Sequence, residues 1–147
     1  MTTKPKARKA AAANGVELDP VFAAIAEHKV LIKESNRLEK SYSIARGKAE
    51  KKHGWEWNAG KPLEMLDLVV ANVDSMYDRL NRADRAERKA AMRMAKTGPT
   101  TVAGAAALIA HAWHEIEAGD SEQVEDWLTT ALKTVAGALI RMSQKPA

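Results

Sequence analysis

The most reactive-looking run in this chain is His111-Ala-Trp-His114-Glu115. Two histidines three residues apart fall on adjacent turns of a helix, and Glu115 or Glu117 is near enough in sequence to offer a third ligand to a divalent ion. The spacing is not that of an HExxH zinc helix. Cysteine is absent from all 147 residues, which removes thiolate ligands, thiolate nucleophiles and disulfides. His28 and His53 lie far away in sequence and add no ligand to the pair. The residues therefore predict satisfied or half-exposed helical histidines, with no metal and no cofactor.

Catalysis needs a positioned nucleophile or an acid–base pair in a dry pocket. The sequence has no nucleophile elbow, no phosphate-cradling glycine loop and no zincin helix. Its glycines stand at helix ends or inside Ala-rich runs, and acid pairs such as Glu125-Asp126 belong to solvated helix faces. The expectation is a protein that is not an enzyme.

Basic side chains carry the other candidate site. Arg79, Arg82, Arg85, Arg88, Lys89, Arg93 and Lys96 recur mostly at spacings of three and four, so on a helix they form a ridge that can neutralise phosphates in a salt-sensitive way. Lys33, Arg37, Lys40, Lys48, Lys51 and Lys52 extend the pattern on the preceding segment. Residues 33–52 and 78–99 each hold seven basic and three acidic groups, residues 1–16 hold four basic and no acidic ones, and residues 100–147 hold three basic against six acidic. No base-reading helix stands out. Asp78, Asp84 and Glu87 interleave with the arginines, as they do on exposed helices that need only solubility and i,i+4 support. The ridge is thus either a nucleic-acid contact or a solvated face.

Positioning these side chains falls to helices. Ala, Leu, Glu, Lys, Arg and Met dominate, and apolar residues recur every three or four positions. Asp19-Pro20 starts helix one, Asp capping free amides and Pro occupying a position that needs none. Phe22, Ile25, Leu31, Ile32, Leu38, Tyr42, Ala45 and Ala49 then mark an apolar face over about 20–52. Gly54 and Gly60 bracket Trp55 and Trp57 in a turn, where one ring is expected to lid the hairpin end. Pro62 opens a second helix over about 62–97, with Leu66, Val69, Val73, Met76, Leu80, Ala83, Ala90 and Met94 facing inward until Gly98-Pro99 stops it. Thr100 or Thr101 caps a third over about 101–118. Gly119 ends it, and Asp120-Ser121 with Gln123 caps a fourth over about 121–143.

Together these give an all-α, four-helix arrangement: a long antiparallel hairpin with a charged distal part, and a short apolar hairpin. Residues 1–16 are read as a disordered basic arm and 17–147 as a single helical domain. Val102 to Trp113 is apolar nearly all round, which predicts a buried helix and a surface that two hairpins alone do not cover. Val124, Leu128, Ala131, Val135, Leu139 and Met142 are the inward set of the fourth helix, and Trp113 and Trp127 are expected to pack together or seal the bundle. Thr101-Val-Ala-Gly-Ala105 recurs as Thr134-Val-Ala-Gly-Ala138, which places Gly104 and Gly137 at similar height for close helix approach.

Two stretches, Asp19-Pro-Val-Phe-Ala-Ala-Ile-Ala-Glu-His-Lys29 and Thr97-Gly-Pro-Thr-Thr-Val-Ala-Gly-Ala-Ala-Ala-Leu-Ile109, give the chain a further likeness. It resembles small helical proteins scattered through proteobacterial genomes, often near mobile or prophage-like regions. The resemblance covers about 24 residues and implies a bacterial origin and a helical-hairpin core, with no activity and no site residues.

The partners expected are a second copy of the chain or another protein, with nucleic acid as the alternative. No run is apolar for the length a membrane span needs, and residues 1–16 lack a signal-peptide core, so a cytoplasmic location is expected.

Overall fold

The computed structural model describes residues 18–53, 68–118 and 121–144, and these form four helices: α1 (Pro20–His53), α2 (Leu68–Lys96), α3 (Val102–Glu117) and α4 (Ser121–Ser143). Each lies within a residue or so of its expected span wherever both ends are described. The basic arm, the Trp55/Trp57 turn, the Pro62 start and the Asp120 cap lie outside the described residues. No described helix is long and apolar enough to cross a membrane.

The chain folds as a cycle in which α1 contacts α2 and α3, while α4 contacts α2 and α3. The α3–α4 hairpin is the shorter one and covers only one end of the long α1–α2 hairpin. There the main core forms from Val21 and Ile25 of α1, Ala91, Met94 and Ala95 of α2, Ala105, Leu108 and Ala112 of α3, and Trp127, Ala131 and Val135 of α4. Alanine supplies much of this set, which brings backbones close and leaves the few large side chains to fill the middle. Toward the other end, among the described residues, the two long helices meet along a seam of Leu38, Ala49, Val73 and Leu80, with Leu80 at the cleft under the end of α3.

Several apolar assignments change. Val21 is fully buried and Phe22 is 43% exposed, the reverse of the expected stripe. Adjacent helical residues point about 100° apart, so the anchoring of α1's first turn decides between them. On α4, Leu139 is exposed, and Trp127 and Ala138 are buried with Ala131 and Val135. Trp127 does not meet Trp113; it turns into the core, while Trp113 stands 60% exposed. Nor is α3 buried all round, because Val102, Ile109 and Trp113 face outward.

Candidate functional site

Asp19 joins two helix starts. Its Oδ1 accepts from Val21 N at 3.1 Å, the expected cap of α1. Its Oδ2 accepts from Thr100 N at 2.9 Å, Thr101 N at 2.8 Å and Thr101 Oγ1 at 2.8 Å. Thr101 is itself the cap of α3, accepting from Gly104 N at 3.0 Å. One carboxylate therefore faces the positive ends of two helices. Burial alone would raise its pKa, but the donated hydrogen bonds, Val21's foremost, hold it below the ordinary carboxyl value. With both N-termini at one carboxylate, α1 and α3 run parallel. Gly104 is required at this junction, since a Cβ there would collide with the Asp19 carboxylate. A Cβ on Gly137 would meet only Arg141 of its own helix, so the two glycines are not equivalent.

Two turns further along, a second polar contact crosses the core. His28 Nε2 lies 2.7 Å from Glu87 Oε1, and His28 Nδ1 lies 2.9 Å from His111 Nε2. The chain Glu87–His28–His111 thus links α2, α1 and α3 beneath the core, with His28 1% and His111 4% exposed. Trp127 of α4 closes it, its ring 5.8 Å from that of His28 and 6.5 Å from that of His111. His111 Nδ1 is buried without a hydrogen bond, and the nearest carboxylate, Glu115 Oε1, is 3.9 Å away. Burial, then His28, Lys29 and His114, push the His111 pKa down to about 4. The two stretches 19–29 and 97–109 therefore meet through Asp19, and His28 reaches His111 just beyond the second.

His111 and His114 do not converge on one point. His111 turns inward, His114 is exposed, and among the described residues no three His, Asp or Glu side chains are arranged to hold a metal ion. His28, set aside on sequence distance, is the residue that partners His111. It stands three positions after Ile25 and seven after Val21, on the buried stripe, and a polar side chain there needs a buried partner. Asp84 and Glu87 also change role. Asp84 accepts from Ser35 Oγ and Glu87 from His28, so both face α1 instead of the solvent. With Glu39, Glu115 and His114 they line a cleft of about 560 Å³ where α3 ends over the long hairpin.

Arg79, Arg82, Arg85, Arg88, Lys89, Arg93 and Lys96 are all exposed on α2. Arg93 Nη2 donates to Glu27 Oε1 at 2.7 Å, and Arg82 Nε donates to the Asp78 carbonyl at 3.3 Å. On α1, Lys33, Arg37, Lys40, Lys48, Lys51 and Lys52 are exposed as well, and Arg37 pairs with Glu34.

The outer side of the short hairpin is apolar. Val102, Ala106, Ile109 and Trp113 are exposed on α3 at spacings of four, three and four; Leu132, Ala136, Leu139 and Ile140 are exposed on α4 at spacings of four, three and one. Each set adjoins its helix's buried positions (Ala105 and Ala112 beside Ile109, Val135 beside Leu132 and Leu139), on the side away from α1 and α2.

The chain matches no protein-family model, no curated protein and no solved structure.

Proposed function

We propose that this protein is a non-enzymatic interaction module that pairs with a second copy of itself through the outer face of α3 and α4. One observation carries the reading: Val102, Ile109, Trp113, Leu132, Leu139 and Ile140 are between 39% and 67% exposed on one short hairpin. Such side chains expose several hundred Å², an area monomers rarely leave bare and a large part of the ~800 Å² that each partner gives to a standard interface. A two-fold contact sets a surface against itself, so a charged face repels its own copy. No Asp, Glu, Lys or Arg occurs between Val102 and Trp113, and Lys133 is the one such residue between Leu132 and Ile140.

Light scattering after size exclusion tests this. The expected result is a mass near twice the 16.0 kDa of one chain at tens of micromolar, falling to one chain in Trp113→Asp and in Ile109→Asp with helicity kept. A monomeric parent chain, or variants that stay dimeric, would remove the reading.

Nucleic-acid binding is a second reading, favoured by the exposure of all seven basic residues of the α2 ridge. Duplex DNA affinity should then fall steeply with salt and with Arg82→Glu, Arg85→Glu and Arg88→Glu combined. Binding indifferent to both rules it out.

A further inference from the structure

A neutral imidazole carries one N–H. If His28 Nε2 donates to Glu87, its Nδ1 is left as an acceptor, and His111 Nε2 must donate across the 2.9 Å contact. The free lone pair of the chain is then His111 Nδ1, the buried atom without a hydrogen bond. A proton added there makes a cation of a side chain that is 2% exposed.

Every helix packed on the pair bears on that charge. From α1 come His28 and Lys29, from α2 Glu87 at the far side of His28, and from α3 His114 and Glu115. The described part of α4 contributes the uncharged Trp127 ring. Lys29, His114 and any charge on His28 oppose the new cation; Glu115 attracts it across 3.9 Å but is beyond hydrogen-bond reach, so the new N–H has no acceptor. Water is the remaining hydrogen-bond partner; a cleft between α1 and α3 lined by Ile25, Lys29, Ala110 and His111 stops short of the buried Nδ1, and widening it to admit water parts α3 from α1.

We propose that Glu87–His28–His111 is an acid-released latch: protonation at His111 Nδ1 undocks the α3–α4 hairpin from α1 and α2, while the long helices keep their structure. Three residues join α3 to α4, so α4 moves with α3 and Trp127 gives up its contact with the His28 ring. Asp19 holds the start of α3 to the start of α1, and its lowered pKa keeps it ionised while His111 titrates, so that end acts as the pivot. The latch is independent of whether the outer face pairs two chains.

The lack of cysteine makes the test direct. Spin labels on Lys40→Cys and Glu117→Cys, both at exposed positions, report the α1–α3 distance by double electron–electron resonance. One proton controls the step, so the ratio of long to short distances should rise on the order of tenfold per pH unit as pH falls from about 6.5 to 4. Far-UV circular dichroism should show helicity kept over the same interval. His111→Gln retains an amide that can donate to His28 and cannot take up the proton, so its distances should stay fixed. Distances indifferent to pH in the parent, an equal pH response in His111→Gln, or loss of helicity in the same step would each overturn the latch. If His111→Gln fails to fold, the parent's imidazole resonances decide: His111 must titrate over the pH interval in which the distance lengthens, and titration over a different interval overturns the proposal.

Discussion

The long hairpin lives in two environments. At its open end α1 and α2 lie against α3 and α4, and the shared core draws on all four helices around Leu108, Met94 and Trp127. Farther out, among the described residues, the same two helices hold each other by Leu38, Ala49, Val73 and Leu80, by the tilted Tyr42–Tyr77 ring pair at 5.5 Å, and by Ser35 donating to Asp84. The first region is specified by buried polar contacts that fix how its elements meet; the second is, among the described residues, a two-helix seam. A substitution of one chemical kind should therefore read differently in the two, because a four-sided site cannot collapse around a void while a seam can.

Leucine truncation gives the largest contrast. Leu108 is fully buried and Leu80 is 9% exposed. Leu108→Ala should cost about 4 kcal/mol, near the upper part of the range for core leucines, and Leu80→Ala about 2 kcal/mol, near the lower end. Urea unfolding of the two variants measures both. Equal losses would mean that the distal seam is packed as tightly as the four-helix end.

Acid should separate the regions next. His111 is held near 4 in the folded chain and returns to about 6.5 when unfolded, so between these values the unfolded chain binds more protons. Stability from this group is fully present above pH 6.5 and is lost as pH falls toward 4, up to about 3 kcal/mol in all. Asp19 is lowered in the fold, so its contribution survives that interval and disappears only at more acid pH. Denaturation midpoints measured across this range should fall in the parent chain and stay nearly level in His111→Gln. A midpoint independent of pH from 7 to 4 would show that the buried pair does not set the acid limit.

Much of this architecture is legible in the sequence, for identifiable reasons. Asp19-Pro20, Gly98-Pro99 and the paired threonines punctuate the chain with local chemistry, and local chemistry is what spacing and caps report. Asp19 itself was visible as a cap on α1, but not as the anion that also seats α3, because its other partners lie 81 and 82 residues away. That same long-range anchoring sets the rotation of α1 and hence puts Val21 inside and Phe22 outside. The histidine pair left a fainter trace: His28 and His111 each interrupt an apolar stripe, and two such interruptions without a metal set point to each other. An all-apolar helix such as α3 gives no sign of which stripe its neighbours cover. Gly104, held against Asp19, and the buried His111 mark the inward side.

The smallest effects give the sharpest form of the comparison, because one substitution should change sign between the two regions. Gly104 and Gly47 both sit inside helices, where replacing Gly by Ala removes backbone freedom from the unfolded chain and stabilises by about 1 kcal/mol when nothing obstructs the methyl group. At Gly47, on the distal part of α1, a Cβ would meet nothing within 4 Å beyond its chain neighbours and its own helix backbone. Gly47→Ala should raise stability by about 0.5–1 kcal/mol. At Gly104 the methyl group would strike the Asp19 carboxylate, which cannot retreat without releasing its hydrogen bonds to Thr100 and Thr101. Gly104→Ala should therefore cost about 2 kcal/mol in spite of the same helical gain, since bonds to a charged acceptor carry about 1.5–3 kcal/mol. Thermal melts of the two variants decide it: midpoints that shift in the same direction would show that Asp19 can leave α3 without loss, and the junction of the two helix starts would no longer account for how the short hairpin is seated.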